Sequence, residues 1–335
     1  MSEKSKIRIG ISVGDPNGIG IEIILKSFQD KNIYDFFTPI IFANTTNFFD
    51  ERKRYNLNTD IFKLKDISKP QKGEMNVIDV WKNPFPISYG EEQAEAGSHA
   101  IESLRAATES LKKGEIDVLV TAPIHKKSIQ SDNFNFPGHT DYLNQELEGE
   151  SLMFMISDSL KIALVTDHIP LGEVKSHLSE KKIIKKIKLL EKSLKQDFGI
   201  DQPKIAVLGI NPHAGDNGVI GKEDENLLRP LLRKLNTTRS LVYGPYSADG
   251  FFGNQSYNQF DATLAMYHDQ GLIPFKTLSF GQGVNFTAGL SHVRTSPDHG
   301  TAFDIAGKGK ANNSSFTEAI FSARSIFLKR KEYTH

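Results

Sequence analysis

Seven short apolar runs, rich in β-branched residues and closed by turn-forming residues, constrain this fold more than any other feature of the chain. They occupy residues 7–14, 38–44, 116–124, 159–169, 203–211, 240–247 and 262–270. Each is of strand length, and several are apolar on both alternating sets, as strands covered on both faces must be. Helical patterns lie between them. Gly97, Ala100, Ile101, Leu104, Ala107 and Leu111 fall on one face, and Ile183, Ile187, Leu190 and Leu194 form another stripe. The lysines of this second segment read as a solvated helix face. Strands alternating with helices predict an α/β protein with a largely parallel sheet. A length of 335 residues predicts two domains or one large α/β unit. No repeat, low-complexity tract or compositional shift marks a boundary. Polar stretches near 68–74 and 82–86 read as surface turns.

Composition narrows the function. Lys plus Arg and Asp plus Glu both number 41, so the formal net charge is zero. That argues against a nucleic-acid binder working through a global basic field. Cysteine is absent, which excludes disulfides, thiolate metal sites and cysteine nucleophiles. The ten histidines become the obvious metal-ligand candidates. No stretch approaches the roughly 18 apolar residues of a membrane span, and the opening MSEKSKIRIG has no signal-peptide core. The expectation is a cytoplasmic enzyme with no membrane or nucleic-acid partner.

Polar residues gather where apolar runs end: Asp15, Thr121 to His125, Asp167 with His168, Asn211 to His213, and His268 with Asp269. In open α/β sheets, ligands bind beyond the carboxyl ends of the strands. His168, His213 and His268 share this context. Three neutral imidazoles with open positions would make a catalytic divalent-metal site, zinc being its commonest occupant. Their spacing is not a local ligand motif, and three unrelated loop histidines remain the alternative.

The segment SVGDPNGIGIE at 12–22 places Gly14, Gly18 and Gly20 between a strand and a helix. It fits either a tight structural turn or an anion-binding helix start; it is neither a dinucleotide fingerprint nor a phosphate loop. Residues 275–296 carry Lys276, Asn285 and Arg294 among many small residues. Lys and Arg offer charge-assisted bonds to phosphate or carboxylate. The run DHGTAFDIAGKGKAN at 298–312 describes a loop on which a flat ring could stack and a ribose hydroxyl could pair.

Taken together, GDPNGIG, TAPIHK, FPGHT, DHIPL, NPHAGDNGVIG, GPYSADGFF, YHDQGLIPFK and RTSPDHGTAFDIAGKG resemble the 4-hydroxythreonine-4-phosphate dehydrogenase (pyridoxine biosynthesis protein A) family over some 300 residues. One departure is visible: Ile21 stands where the family usually has proline after GIG, which affects little beyond local rigidity. The resemblance implies a two-lobed α/β/α subunit similar to isocitrate and isopropylmalate dehydrogenases, with its active site in the cleft between lobes. The expected lobes are 1–140 with 285–335, and 141–284, the latter bearing the metal ligands and dimer contacts. The resemblance places one divalent metal (zinc, magnesium or cobalt) on His168, His213 and His268. It places substrate contacts on His139, Thr140, Lys276, Asn285 and Arg294, with His139 and Lys276 as candidate proton acceptors. The 298–312 loop resembles the adenosine-binding loop of the related dehydrogenases, with His299, Asp304 and Ile305 as cofactor contacts. Asp304 would favour NAD over NADP by repelling an added phosphate. The family is homodimeric, with the metal site at the subunit interface.

The implied reaction is NAD- and metal-dependent oxidation of 4-phosphooxy-L-threonine to a β-keto acid that decarboxylates to 3-amino-2-oxopropyl phosphate, in pyridoxal phosphate biosynthesis. The alternative within dehydrogenases is a paralogue acting on phospho-threonate or phospho-erythronate. A coenzyme A-binding acyltransferase would need neither the histidines nor the adenosine loop, and a metabolite sensor would not need the full apparent catalytic set.

Overall fold

The computed structural model describes residues 6–132, 134–237 and 240–334. Its strands, in chain order, are β1 (Ile7–Ser12), β2 (Phe37–Ala43), β3 (Ile61–Leu64), β4 (Met75–Asp79), β5 (Val118–Thr121), β6 (Gly149–Ile156), β7 (Lys161–Leu164), β8 (Lys204–Leu208), β9 (Leu241–Tyr246), β10 (Ala262–Ala265), β11 (Val284–Leu290) and β12 (Arg294–Pro297). The α-helices are α1 (Gly20–Ser27), α2 (Thr45–Arg54), α3 (Ala94–Lys112), α4 (His139–Glu146), α5 (Val174–His177), α6 (Glu180–Phe198), α7 (Arg229–Asn236), α8 (Ala248–Gly253), α9 (His268–Leu278) and α10 (Ser314–Thr334). None of these helices is long and apolar enough to cross a membrane. Chain contacts divide the molecule into two units, Met1–Gly149 with Leu290–Phe327 and Glu150–Gly289 with Leu328–His335.

In the first unit the strand order is β3-β4-β2-β1-β5-β12, and the paired strands run parallel. Residues on both sides of β1 are buried: Ile9 and Ile11 on one set, Gly10 and Ser12 on the other. A Cβ at Gly10 would collide with the Ile116 side chain. Helix α3 packs its predicted stripe, Ala100, Ile101, Leu104, Ala107 and Leu111, into a core with Ile40, Phe42 and Leu119. Burying each large aliphatic side chain of this kind contributes about 1.5–3 kcal/mol.

In the second unit the order is β11-β6-β7-β10-β8-β9. Strands β7, β10 and β8 are parallel neighbours, with Thr263 opposite Ile162 on one side and Ala262 opposite Ile205 on the other. The turn into β7 makes β6 antiparallel to it. Helix α6 begins at Ser179, whose hydroxyl accepts from the Lys182 N–H at 3.3 Å, and ends at Gly199 in the left-handed conformation. Between those caps Ile183, Ile187, Leu190 and Leu194 are buried. Most of its lysines face water, but Lys186 is half-buried and donates to the Ser151 carbonyl at 3.0 Å.

Candidate active site

The three candidate metal ligands share one structural origin. His168 follows β7, His213 follows β8 and His268 opens α9 just after β10. Because these strands are parallel and adjacent, all three histidines emerge from the carboxyl end of the same sheet segment. The His168 and His268 rings lie 5.4 Å apart, centroid to centroid. His268 Nδ1 is 2.8 Å from the Asp269 carboxylate, which can orient the ring. Among the described residues, no three His, Asp or Glu side chains are converged into a coordination cluster. The donors nevertheless suit a divalent cation in type: neutral imidazoles leave its full charge available.

His213 lies in an unusual stretch of backbone. Residues 213–217 all have positive φ, and only Gly215 among them is glycine. Such conformations cost of order 1–3 kcal/mol each and persist only where the surroundings impose them. The fully buried Asp224 ties down the backbone just before this stretch: its carboxylate accepts from the N–H groups of Ile210 (2.8 Å) and Asn211 (3.0 Å) and from Asn211 Nδ2 (3.0 Å). Beside it, a hydrogen bond from Lys175, the first of several, holds the Glu223 carboxyl down at about 2. Asp224 has no sequence signal, because the acidic run EDE that contains it reads as solvated surface.

In the first unit, His139 is the first residue of α4 and Arg294 the first of β12. The Arg294 guanidinium is buried and donates from Nε and Nη2 to the Thr121 hydroxyl at 3.2 and 2.6 Å. Burial lowers Arg294 to about 9. Burial, with Arg294 adding to it, pushes the His139 imidazole well below its ordinary range. His139 Nε2 is shielded from solvent and has no hydrogen-bond partner. A neutral imidazole with an orphaned nitrogen beside a buried guanidinium is chemically suited to a polar, anionic ligand. Thr140 is half-buried beside His139 on α4. Asn285 is half-buried on β11 and Lys276 is exposed on α9, both in the second unit.

Asp15 lies three residues beyond the end of β1, in a fully buried position. One carboxylate oxygen accepts the Asn17 N–H at 2.9 Å, and the other has no partner. Burial raises its pKa, opposed by that hydrogen bond and by His125.

The 298–312 loop forms turns across 303–309. His299 Nδ1 sits 3.0 Å from the Gly300 carbonyl, while its Nε2 is buried without a partner. Asp304 is exposed and lies well ahead of α10, so it does not cap that helix. The Lys308 ammonium donates to its main-chain carbonyl at 2.6 Å. Ile305 is half-buried. The orphaned His299 nitrogen fits a nucleotide bound on this loop. Of the histidines outside these groups, His99 stacks on Trp81 at 4.6 Å and His177 contacts the Glu173 carbonyl on α5; His335 lies outside the described residues.

Two units of largely parallel sheet and helices, with polar groups at the carboxyl ends of the strands, define the class of the fold as α/β. The fold matches that of isocitrate dehydrogenase from Methylococcus capsulatus at a TM-score of 0.50 and 12% identity, covering 98% of this chain and 88% of that one. It matches the crystal structure of 4-hydroxythreonine-4-phosphate dehydrogenase from Klebsiella pneumoniae much more closely, at a TM-score of 0.80 and 33% identity, covering 98% and 99%. A 4-hydroxythreonine-4-phosphate dehydrogenase from Bacteroides thetaiotaomicron is 44% identical over 331 residues, 98% of this chain and 91% of that protein. A relative from Oceanobacillus iheyensis, provisionally named a D-threonate 4-phosphate dehydrogenase, is 38% identical over 322 residues, 94% of this chain and 96% of its own length. The profile of the family described as pyridoxal phosphate biosynthetic protein PdxA matches residues 35–323, and the chain belongs to that family.

Proposed function

We propose that this chain is an NAD-dependent, divalent-metal-dependent 4-hydroxythreonine-4-phosphate dehydrogenase. Its substrate would be 4-phosphooxy-L-threonine, oxidised at the secondary alcohol to a β-keto acid that loses CO2 to give 3-amino-2-oxopropyl phosphate. The observation that carries the proposal is the emergence of His168, His213 and His268 from the same end of three adjacent parallel strands, in a member of this family. When bound, the cation would supply Lewis-acid polarisation of the substrate hydroxyl, and NAD would accept the hydride.

The chain's own residues divide the remaining work. Arg294, oriented by Thr121, pairs with an anionic substrate group, with Lys276, Asn285 and Thr140 as further contacts. His139 is held in the neutral form that a proton acceptor needs at Nε2, while the burial that keeps it neutral also weakens it as a base; Lys276 is the competing acceptor. His299, Asp304 and Ile305 receive the adenosine half of NAD. Asp304 can accept hydrogen bonds from ribose hydroxyls and disfavours the additional phosphate of NADP. A homodimer built through the second unit agrees with its exposed apolar side chains, Leu171, Val219, Ile273 and Phe280, and would place the metal site at the subunit interface.

The test is NAD reduction with 4-phosphooxy-L-threonine, with and without zinc, magnesium or cobalt. The relative from Oceanobacillus iheyensis favours one second reading, a paralogue for phosphorylated threonate or erythronate. Side-by-side kcat/KM values for these substrates choose between the two.

A further inference from the structure

The glycine-rich turn and the first helix are the socket of the 298–312 loop. The Ile19 N–H, at the start of α1, is taken up by the Thr301 carbonyl at 3.1 Å. A Cβ on Gly18 would lie 2.9 Å from that same carbonyl oxygen, so only glycine permits the approach. One end of the loop is thus fixed to the turn.

The other end is held by two side chains one helical turn apart. Glu22, whose side chain is fully buried, accepts the Ala311 N–H at 2.8 Å through Oε1. The same oxygen accepts from Lys26 Nζ at 2.7 Å. Lys26 then donates to the carbonyls of Gly309 at 3.0 Å and Ala311 at 2.8 Å. A lysine has three donors, and here all three are directed at the clasp. Glu22 Oε2 is buried without a hydrogen-bond partner, an arrangement that generic helix stabilisation by an exposed ion pair would not require.

We propose that the Glu22–Lys26 clasp is a positioning device that fixes residues 309–311 and thereby pre-organises the loop for its nucleotide. The proposal rests on the reading of that loop as the NAD site. Neither residue touches the reacting atoms; both act through the loop backbone, by removing the cost of ordering it at binding.

The experiment compares the full-length wild type with Lys26→Met, Lys26→Arg and Glu22→Gln. NADH affinity is titrated by its fluorescence without substrate, and trypsin cleavage after Lys308 and Lys310 is followed by mass spectrometry. Lys26→Met keeps the apolar stem and should fold. It should be cleaved faster at both lysines and bind NADH about fivefold more weakly or worse, with kcat at saturating NAD and KM for the phosphorylated substrate within about twofold of wild type. Lys26→Arg should restore most of the affinity, and Glu22→Gln should fall between. Wild-type NADH affinity in Lys26→Met overturns the clasp while leaving the cofactor reading intact. A proportionate loss of every kinetic parameter with a lowered melting temperature overturns it as well, as the mark of a merely structural role. A wild-type chain that binds no NADH overturns the cofactor reading itself, and the clasp's role with it.

Discussion

His168 and His268 hold their imidazole rings 5.4 Å apart and tilted by 46°. The relationship follows from the sheet: Leu164 of β7 lies opposite Ala265 of β10 in parallel register, and each histidine comes a few residues beyond that shared end.

If these two rings and His213 hold a cation, replacing any one with Ala should lower its affinity and turnover by about two orders of magnitude or more, since losing an outer partner alone costs about 10–100-fold. Folding should persist. Metal content by elemental analysis and turnover with added zinc or cobalt check this together. His213→Ala with normal metal content and ordinary turnover would refute the site. His177→Ala and His99→Ala serve as controls and should keep activity.

His139 gives a pH signature. Burial, reinforced by Arg294, depresses its folded-state pKa below the ordinary 6.5. Above that value the ring is neutral whether folded or unfolded, and nothing is lost. As pH falls through it, the unfolded chain binds a proton that the folded chain refuses, so stability declines toward the lower folded pKa. The melting temperature of the wild type should therefore drop more steeply between pH 7.5 and about 5.5 than that of His139→Gln. Parallel profiles for the two proteins would show that this imidazole titrates normally.

Seven strands were legible as apolar runs of strand length, several of them apolar on both alternating sets, as in IRIGIS and KIAVL. Strand β12 was not. Its sequence, RTSP, is polar, yet all four residues are buried. Arg294 is satisfied in part by Thr121, and the Thr295 hydroxyl donates to the Ala319 carbonyl at 2.7 Å. Hydrogen bonding, not hydrophobicity, admits this strand to the interior, and no periodicity encodes it. Residues 275–296 accordingly read as a run of small and charged groups, although they contain the end of α9, all of β11 and the start of β12. The strand-end histidines were legible through the carboxyl-end rule. Asp224, which holds the backbone just before His213, and Glu22, which holds the backbone at Ala311 in the other unit, were not legible, because a buried acid and a solvated one look the same in sequence.

Cofactor choice can be tested at one position. Asp304 is exposed in its turn, where its charge is partly screened, so repulsion of an added phosphate should amount to about 1 kcal/mol or somewhat more. NAD should be preferred over NADP by roughly tenfold, about 1.4 kcal/mol. Asp304→Lys should reverse or erase the preference with little effect on the melting temperature. Steady-state kcat/KM for both cofactors decides, and an unchanged ratio in the variant would remove this acid from the ribose.

The last prediction concerns stability. Asp197 on α6 is buried, and Arg330 near the end of α10 donates to it from Nε at 2.5 Å. The Ser193 hydroxyl donates to its other oxygen at 2.6 Å. Both residues belong to the second unit, so this pair fastens the end of the terminal helix to α6. Removing one member of a buried pair leaves an uncompensated charge and costs about 3–5 kcal/mol. Arg330→Met should therefore lower the thermal midpoint markedly in far-ultraviolet circular dichroism. Combining it with Asp197→Asn removes the stranded charge, and the serine can still donate to the amide oxygen. The double variant should recover more than half of the loss, because most of the cost lies in the unpaired carboxylate rather than in the attraction that was broken. Equal midpoints for the single and double variants would show that Arg330 contributes chiefly through packing, including its contact over the Phe286 ring.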